Sequence, residues 1–230
     1  MNEDGLIVAI DGPAGAGKST AARRLAERLG YVLIDTGALY RAVALVAKER
    51  GVSWDDAEAL GALAEGLDLR FAPVEGSGRP PLFVDGEDRS EDIRRPDISQ
   101  GASRVSAHGP VRDALLGVQR RMGARGGVVL EGRDIGTVVF PDADVKIFLT
   151  ASDQVRAQRR YDELVSRGRP ADLAQVRREI EERDRRDAGR AVAPLTRAPD
   201  AVLLDTSGLS LDGAVDRLVA IVAEARPGGD

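Results

Sequence analysis

Short apolar runs alternate with amphipathic stretches along most of the chain. Five runs have the length of buried strands, and residues at helical spacing separate them. The predicted strands are residues 6–10, 31–34, 128–131, 145–149 and 202–205. Because strands that alternate with helices form parallel sheets covered on both faces, the pattern predicts a three-layer α/β/α fold with a five-stranded parallel sheet.

One segment, about residues 63–102, has a different pattern. Leu67, Leu69 and Phe71 alternate with polar residues, Leu82 and Val84 do the same, and a glycine-containing turn at 75–78 lies between them. Alternation on both sides of such a turn predicts an antiparallel hairpin. We therefore expect a small lobe inserted into the α/β core.

Two highly charged helices are predicted at 153–167 and 172–187. The second opens with Asp172 and Gln175, which have the spacing of a capping box. Charged and weakly buried helices open at low free-energy cost, so we expect a mobile lid. The predicted division is a core of residues 1–35, 103–150 and 191–230, a lobe of 36–102 and a lid of 151–190.

A glycine-rich sequence follows the first predicted strand and precedes a helix. It matches the phosphate-loop pattern GxxxxGK[ST] at every fixed position. Its glycines allow a tight turn that presents N–H groups to phosphate oxygens, and the helix N-terminus adds positive potential. Lys18 is predicted to reach the β- and γ-phosphates, and Ser19 to hold Mg²⁺. The predicted ATP-binding residues here are Gly12, Pro13, Ala14, Gly15, Ala16, Gly17, Lys18, Ser19 and Thr20.

Composition excludes several functional classes. The net charge of −5 provides no basic surface for a nucleic-acid polymer. The absence of cysteine excludes disulfides, thiol catalysis and thiolate metal sites. The first apolar run is too short for a signal peptide or a membrane span, so we expect a cytoplasmic monomer without a membrane partner. No Asn-Lys-x-Asp sequence supports a GTPase, and the chain is too small for a motor.

Arginine greatly outnumbers lysine, so a single arginine is weak evidence of function. Only Lys18, Lys48 and Lys146 of the 33 basic residues are lysines. Arg156, Arg159 and Arg160 have i, i+3, i+4 spacing and can share one helix face. That arrangement favours a lid that closes over a transferring phosphate, since guanidinium groups align and neutralise phosphoryl oxygens. The single histidine, His108, is expected to be structural.

The chain resembles the bacterial cytidylate kinases over essentially its whole length. The resemblance rests on residues 10–20, 35–41, 131–143, 182–187 and 190–195. The stretches GRDIGTVVFPDA and RAVAPL are the most family-specific. The resemblance implies a P-loop kinase fold with an enlarged NMP-binding lobe. It also implies Mg²⁺-dependent phosphoryl transfer from ATP to CMP and dCMP, giving CDP and dCDP.

The resemblance also implies how the base would be recognised. Cytosine presents an N4 amino donor beside the N3 and O2 acceptors. Asp134 and Ser103 match residues on the N4 side, and Arg112 and Arg190 match the donors to N3 and O2. Uracil would present an acceptor to Asp134, a mismatch that costs on the order of 1–3 kcal/mol or more.

The remaining assignments concern the ribose, the phosphates and the metal. Arg41 and Arg133 match residues that bind the monophosphate, and Arg183 and Asp187 match residues that contact the ribose. Thr36 matches a further CMP-binding position and keeps the hydroxyl group needed there. Asp35 resembles the carboxylate that organises Mg²⁺, with simple helix capping as the alternative. Arg156 and Arg160 would contact the ATP phosphates, and Thr206 would border the adenine.

Two other functions remain open at this point. The protein could phosphorylate another monophosphate or a hydroxylated metabolite. It could also be a regulator that binds ATP and a partner without rapid turnover. The second group of phosphate-binding arginines argues against a regulator, because a sensor of ATP needs only one phosphate site.

Overall fold

The computed structural model describes residues 5–72 and 79–225. The strands are β1 (Ile7–Asp11), β2 (Val32–Asp35), β3 (Leu69–Phe71), β4 (Leu82–Val84), β5 (Glu87–Asp88), β6 (Val128–Glu131), β7 (Val145–Thr150) and β8 (Val202–Asp205). The α-helices are α1 (Lys18–Leu29), α2 (Thr36–Glu49), α3 (Ala57–Glu65), α4 (Pro96–Val105), α5 (Gly109–Gly123), α6 (Asp153–Ser166), α7 (Leu173–Ala188) and α8 (Leu211–Glu224). A 3₁₀ turn spans Asp92–Arg94 and a π-helical turn spans Ile135–Val139.

Five strands form the central sheet in the order β2-β6-β1-β7-β8, and all neighbours are parallel. The predicted parallel sheet is therefore confirmed. In parallel sheets, ligands bind beyond the carboxyl ends of the strands. The register places Asp35 of β2 opposite Glu131 of β6, and Ile10 of β1 opposite the same Glu131. Acidic side chains from neighbouring strands thus meet at one edge of the sheet.

The two faces of the sheet are covered by different helices. In β1, Val8 and Ile10 pack in a cluster with residues of α1 and α8, whereas Ala9 faces a second cluster with Ile135 and Val139 of the π-helical turn. This alternation follows from the two-residue repeat of a strand. The expected α/β/α layering is present.

The inserted lobe contains a three-stranded antiparallel sheet in the order β3-β4-β5. The expected hairpin strands pair, with Leu69 opposite Val84 and Phe71 opposite Leu82. The predicted turn at 75–78 lies outside the described residues. The sequence analysis did not anticipate β5. Residues of α2, α3, α4 and α5 share one hydrophobic cluster with this sheet. The division of the chain into core, lobe and lid stays a prediction.

The capping box predicted at the start of α7 forms only in part. Asp172 accepts from the Gln175 backbone N–H at 2.7 Å, but the Gln175 side chain bonds Glu179, so only half of the predicted capping box forms. Trp54 lies in the turn before α3, and its Nε1 donates to the Ala44 carbonyl. His108 Nε2 lies 2.9 Å from the Trp54 carbonyl oxygen, which is a structural contact. None of the described helices has the length and apolar character needed to cross a bilayer.

Candidate active site

The phosphate-binding loop, residues 12–19, connects β1 to α1 and requires glycine at two positions. Gly12 has φ +148°, and a Cβ atom there would lie 2.0 Å from the Leu149 carbonyl oxygen. Gly17, the residue before α1, has φ +89°. A side chain at position 12 would collide with the Leu149 carbonyl oxygen, and a side chain at position 17 is disfavoured by the left-handed backbone conformation. The loop therefore has the backbone freedom that the sequence predicted.

Lys18 lies inside the loop, buried, with Nζ donating to the Pro13 carbonyl oxygen at 2.7 Å. Burial and the nearby Arg133 guanidinium hold the pKa of Lys18 well below its ordinary value, partly offset by Glu131. A cation that is buried beside other cations is a local excess of positive charge, and it favours an anionic ligand.

Glu131 is the residue that the sequence analysis left without a role. Its Oε2 accepts from the Ser19 hydroxyl at 2.9 Å, and its Oε1 is buried without a hydrogen-bond partner among the described residues. Burial, together with the neighbouring Asp35 carboxylate, raises the pKa of Glu131. An unsatisfied carboxylate oxygen beside a serine hydroxyl suits a hard cation. Among the described residues, no three His, Cys, Asp or Glu side chains form a metal-binding group.

Asp35 caps α2 in the structure. Its Oδ1 accepts from the Ala38 N–H at 3.1 Å, and its Oδ2 pairs with Arg41 Nη2 at 2.6 Å. Burial alone would raise the pKa of Asp35, but the charges of Arg41 and Arg79 hold it below its ordinary value. The helix-cap alternative is thus realised, and Asp35 also lies opposite Glu131 at the carboxyl edge of the sheet.

Four arginines from four elements of the fold, α2, the turn after β6, α6 and α7, act on one another through their charges. We call them the arginine cluster: Arg41, Arg133, Arg160 and Arg183. Burial and the charges of the other three members lower the pKa of Arg183 to about 10, against the opposing effect of Asp187. The Nε atoms of Arg41 and Arg183 are buried and have no hydrogen-bond acceptor among the described residues. Unsatisfied buried guanidinium donors are costly unless a ligand supplies acceptors.

Asp187 is a buried acceptor near the end of α7 that joins three predicted CMP-binding arginines. It accepts from Arg133 Nε at 2.9 Å, lies 3.9 Å from Arg183 Nε and lies 3.5 Å from Arg190 Nη2. Burial raises the pKa of Asp187, but these arginines outweigh burial and lower it. The structure therefore brings together four residues that the sequence placed in one site.

Arg112 and Asp134 form a buried ion pair at the other end of this site. Arg112 also donates to the Ser106 carbonyl oxygen at 3.2 Å, and Arg190 donates to the same atom at 3.4 Å. The Arg112 guanidinium lies over the Tyr40 ring, 5.5 Å from its centroid. The predicted readers of the base from α5, the end of the lid and the turn after β6 thus converge.

Two predicted CMP-binding hydroxyls are bonded to the protein. The Thr36 hydroxyl donates to the Glu131 carbonyl oxygen at 2.7 Å, and Ser103 Oγ accepts from Arg186 Nη1 at 2.8 Å. Both residues are buried. The contact between Arg186 and Ser103 of α4 was not predicted, because it joins residues 83 positions apart.

The three arginines of α6 that the sequence placed on one helix face have different environments. Arg156 donates to the Ala14 carbonyl and pairs with Asp153 and Asp184. Arg159 donates to Ala16 O at 3.2 Å and to both oxygens of Thr206.

Arg160 donates to Glu163 at 2.7 Å and belongs to the arginine cluster. The charge of Arg160 therefore acts on Arg183, whereas Arg156 contacts Ala14 of the phosphate-binding loop.

Asp11, the last residue of β1, holds the turn that carries Asp134. Its two carboxylate oxygens each accept at 2.8 Å, from the N–H groups of Ile135 and Gly136. Burial raises the pKa of Asp11 from 3.8 to about 6, in spite of these N–H donors. The position of Asp134 thus depends on a carboxylate more than 100 residues away in the chain.

Comparison with known proteins identifies the family of the chain. The family model described as cytidylate kinase matches residues 8–224. A cytidylate kinase of Syntrophotalea carbinolica is 53% identical and covers 95% of this chain and 92% of that protein. A cytidylate kinase of Geobacter sulfurreducens is 51% identical and covers 97% of each chain.

Among solved structures, an uncharacterized protein from Eubacterium ventriosum has a TM-score of 0.54 at 11% identity, covering 95% of this chain and 98% of that chain, which shows a shared fold alone. The family model and the two relatives cover the phosphate-binding loop, the arginine cluster and the Arg112–Asp134 pair. The chain belongs to the cytidylate kinase family.

Proposed function

We propose that the protein transfers the γ-phosphoryl group of ATP to CMP and dCMP. The observation that carries the proposal is the arginine cluster beside Lys18, with buried donors on Arg41 and Arg183 that lack acceptors in the described chain. Two anionic substrates would supply those acceptors. The names of the relatives add the identity of the monophosphate.

ATP would bind along residues 12–20, with loop N–H groups and Lys18 on its phosphates. Thr206 follows β8, is buried and is bonded to Arg159, which also donates to Ala16 of the phosphate-binding loop. Because this contact holds Thr206 beside the loop, Thr206 would border the adenine. Arg160 would reach the transferring phosphate from the lid.

CMP would bind between the arginine cluster and the Arg112–Asp134 pair. Arg41 and Arg133 would hold the monophosphate, with Arg183 and Asp187 near the ribose. The second oxygen of Asp134 would accept from cytosine N4, and Arg190 Nη2, buried without a hydrogen-bond partner among the described residues, would donate to the base.

Ser19 and Glu131 would hold the Mg²⁺ that accompanies ATP. Mg²⁺ keeps several waters and phosphate oxygens as ligands, so it needs few protein groups, and the free Glu131 Oε1 suits this requirement. When bound, Mg²⁺ neutralises charge on the β- and γ-phosphates. Asp35 would orient this end through its contacts with Arg41 and the start of α2.

Catalysis would come mainly from alignment and charge stabilisation. The attacking phosphate oxygen of CMP is already anionic, so no general base is required. Lys18 and the arginine cluster would stabilise the charge on the transferring group in a site that is largely buried. All proposed groups come from one chain, and we propose a cytoplasmic monomer without nucleic-acid or membrane partners.

A coupled assay of ADP formation across CMP, dCMP, UMP and AMP tests the proposal. We expect CMP and dCMP to be the best acceptors and ADP formation to be negligible without an acceptor. Much faster turnover of UMP or AMP would overturn the assigned base recognition. Negligible turnover with every acceptor would favour the regulator that the sequence left open.

A further inference from the structure

Both lid helices pack directly against the phosphate-binding loop. A Cβ atom at Gly15 would lie 3.0 Å from the Arg156 carbonyl oxygen and 3.3 Å from Ile180 Cδ1. Arg156 belongs to α6 and Ile180 to α7. The lid and the loop therefore share a contact surface in this structure.

Ala14 of the loop is bonded through both of its backbone polar groups. Asp184 Oδ1 of α7 accepts from the Ala14 N–H at 3.1 Å, and Arg156 Nη1 of α6 donates to the Ala14 carbonyl at 2.7 Å. Arg156 Nη1 also donates to Asp184 Oδ2. An ion pair between two helices thus fixes one loop residue from both sides.

This contact provides a hydrogen-bond donor for a carbonyl group of the phosphate-binding loop. When the loop turns N–H groups toward phosphates, its carbonyl groups point outward and need donors. Within the loop, Lys18 donates to the Pro13 carbonyl. From α6, Arg156 donates to the Ala14 carbonyl and Arg159 donates to the Ala16 carbonyl. A loop of glycine and alanine has little side-chain packing of its own, so these external donors restrict its conformations.

We propose that Arg156 and Asp184 are positioning residues that hold the phosphate-binding loop in its ATP-binding shape through Ala14, and that Arg156 does not itself bind phosphate. Both terminal nitrogens of Arg156 already donate to protein acceptors, and the side chain is only 6% exposed. Its Nε has no hydrogen-bond acceptor among the described residues, but this atom lies fully buried behind the two occupied terminal nitrogens. The proposal rests on the proposed function in that the ligand of the loop is ATP.

The proposal and simple electrostatics predict opposite signs for one substitution. Asp184 is an anion beside a loop that binds a polyanion, so its charge alone opposes ATP binding. Neutralising it would then strengthen binding. If Asp184 holds the loop, Asp184→Asn weakens binding, because the amide loses the charge-assisted pairing with Arg156.

The test is calorimetric titration with Mg²⁺ and a non-hydrolysable ATP analogue, without CMP. We expect Asp184→Asn and Arg156→Gln each to raise the Kd of the analogue by about tenfold or more. The KM for CMP should stay within about twofold at saturating ATP, because neither residue is proposed to contact CMP. A general loss of structure would instead raise both the Kd of the analogue and the KM for CMP.

Asp153→Asn is the matched control. Asp153 is an exposed partner of the same arginine and does not touch the loop. It should change the Kd by less than about twofold.

The double variant Asp184→Asn/Arg156→Gln separates a shared role from independent ones. Because both residues act on Ala14, we expect the double variant to lose no more than the larger single loss. Unchanged or tighter binding in Asp184→Asn, or fully additive losses, would overturn the proposal. Wild-type protein that fails to bind the analogue would instead refute the proposed function, and thermal unfolding of each variant identifies any that is misfolded.

Discussion

Arg112 and Asp134 pair with each other in the interior, and each side chain exposes only 6% of its surface. A buried ion pair is costly to break, because the remaining charge has no water to solvate it. The pair joins α5 to the turn after β6 and also offers hydrogen-bonding groups to a base. Under the proposed function, the stability of the fold and the recognition of the base therefore depend on the same two residues.

Asp134→Asn should reduce discrimination between CMP and UMP. The amide can no longer present two equivalent acceptors, so kcat/KM for CMP should fall by about 10- to 100-fold and the CMP-to-UMP ratio should narrow. Thermal unfolding should also occur at lower temperature, since Arg112 loses its counter-charge. Asp55→Asn removes an exposed partner of Arg104 and serves as the control. An unchanged CMP-to-UMP ratio would refute the assigned role of Asp134.

Lys18→Ala should abolish most phosphoryl transfer without unfolding the protein. Removing one charge-stabilising donor costs about 10²–10³ in kcat. The variant also removes a buried cation whose pKa burial depresses, so the melting temperature should not fall. Lys146→Ala, which breaks an ion pair with the exposed Asp200, is the comparison. Steady-state kinetics and a melting curve decide the matter, and activity within about tenfold of wild type would contradict the assignment.

Glu131→Gln should weaken metal binding more than nucleotide binding. We expect the Mg²⁺ concentration at half-maximal activity to rise by about tenfold, and Mn²⁺ binding in the presence of ATP, measured by electron paramagnetic resonance, to weaken equally. Because the pKa of Glu131 is raised, protons should compete with the metal, and wild-type metal affinity should fall as pH falls.

Glu27→Gln on the exposed face of α1 is the matched control, because Glu27 forms only a surface ion pair with Arg23. Equal metal requirements in Glu131→Gln and Glu27→Gln would rule out a role for Glu131 at the metal.

Asp11→Asn should remove a pH dependence of stability. The folded chain holds the Asp11 proton to about pH 6, whereas an unfolded chain releases it near pH 3.8. The protonated Asp11 carboxyl therefore contributes to the free energy of unfolding in full below about pH 4, and this contribution is lost as pH rises through 6. Between about pH 4 and 7 the wild type should lose on the order of 2–3 kcal/mol relative to the variant. Urea unfolding at several pH values measures this difference, and parallel curves would contradict it.

The sheet and most helices were predictable because their signals are local. The apolar runs predicted the five strands of the central sheet. Gly30 has φ +67° and ends α1, because glycine is favoured in the left-handed conformation at the end of a helix. The π-helical turn at Ile135–Val139 was not predictable, because it depends on Asp11 from a strand far away in sequence. The short strand β5 lacks apolar residues and gave no signal.

The grouping of several candidate residues was predictable, but their hydrogen-bond and ion-pair partners were not. The motifs named Arg41, Arg133 and Asp187, which the structure brings together. The spacing of Arg156, Arg159 and Arg160 placed them near one helix face, but it could not tell which contacts the loop and which joins the arginine cluster. Glu131 ends a strand at the ligand-binding edge, and that position was the signal that could have identified it.

The scarcity of lysine has a practical consequence. The ammonium groups of Lys48 and Lys146 are held by Asp97 and Asp200, whereas Lys18 is buried with a pKa well below its ordinary value. Amine acylation therefore samples three chemically distinct environments in a chain that has no thiol to react. Mass spectrometry of the peptide that contains Lys18 can report occupancy of the nucleotide pocket without an introduced label.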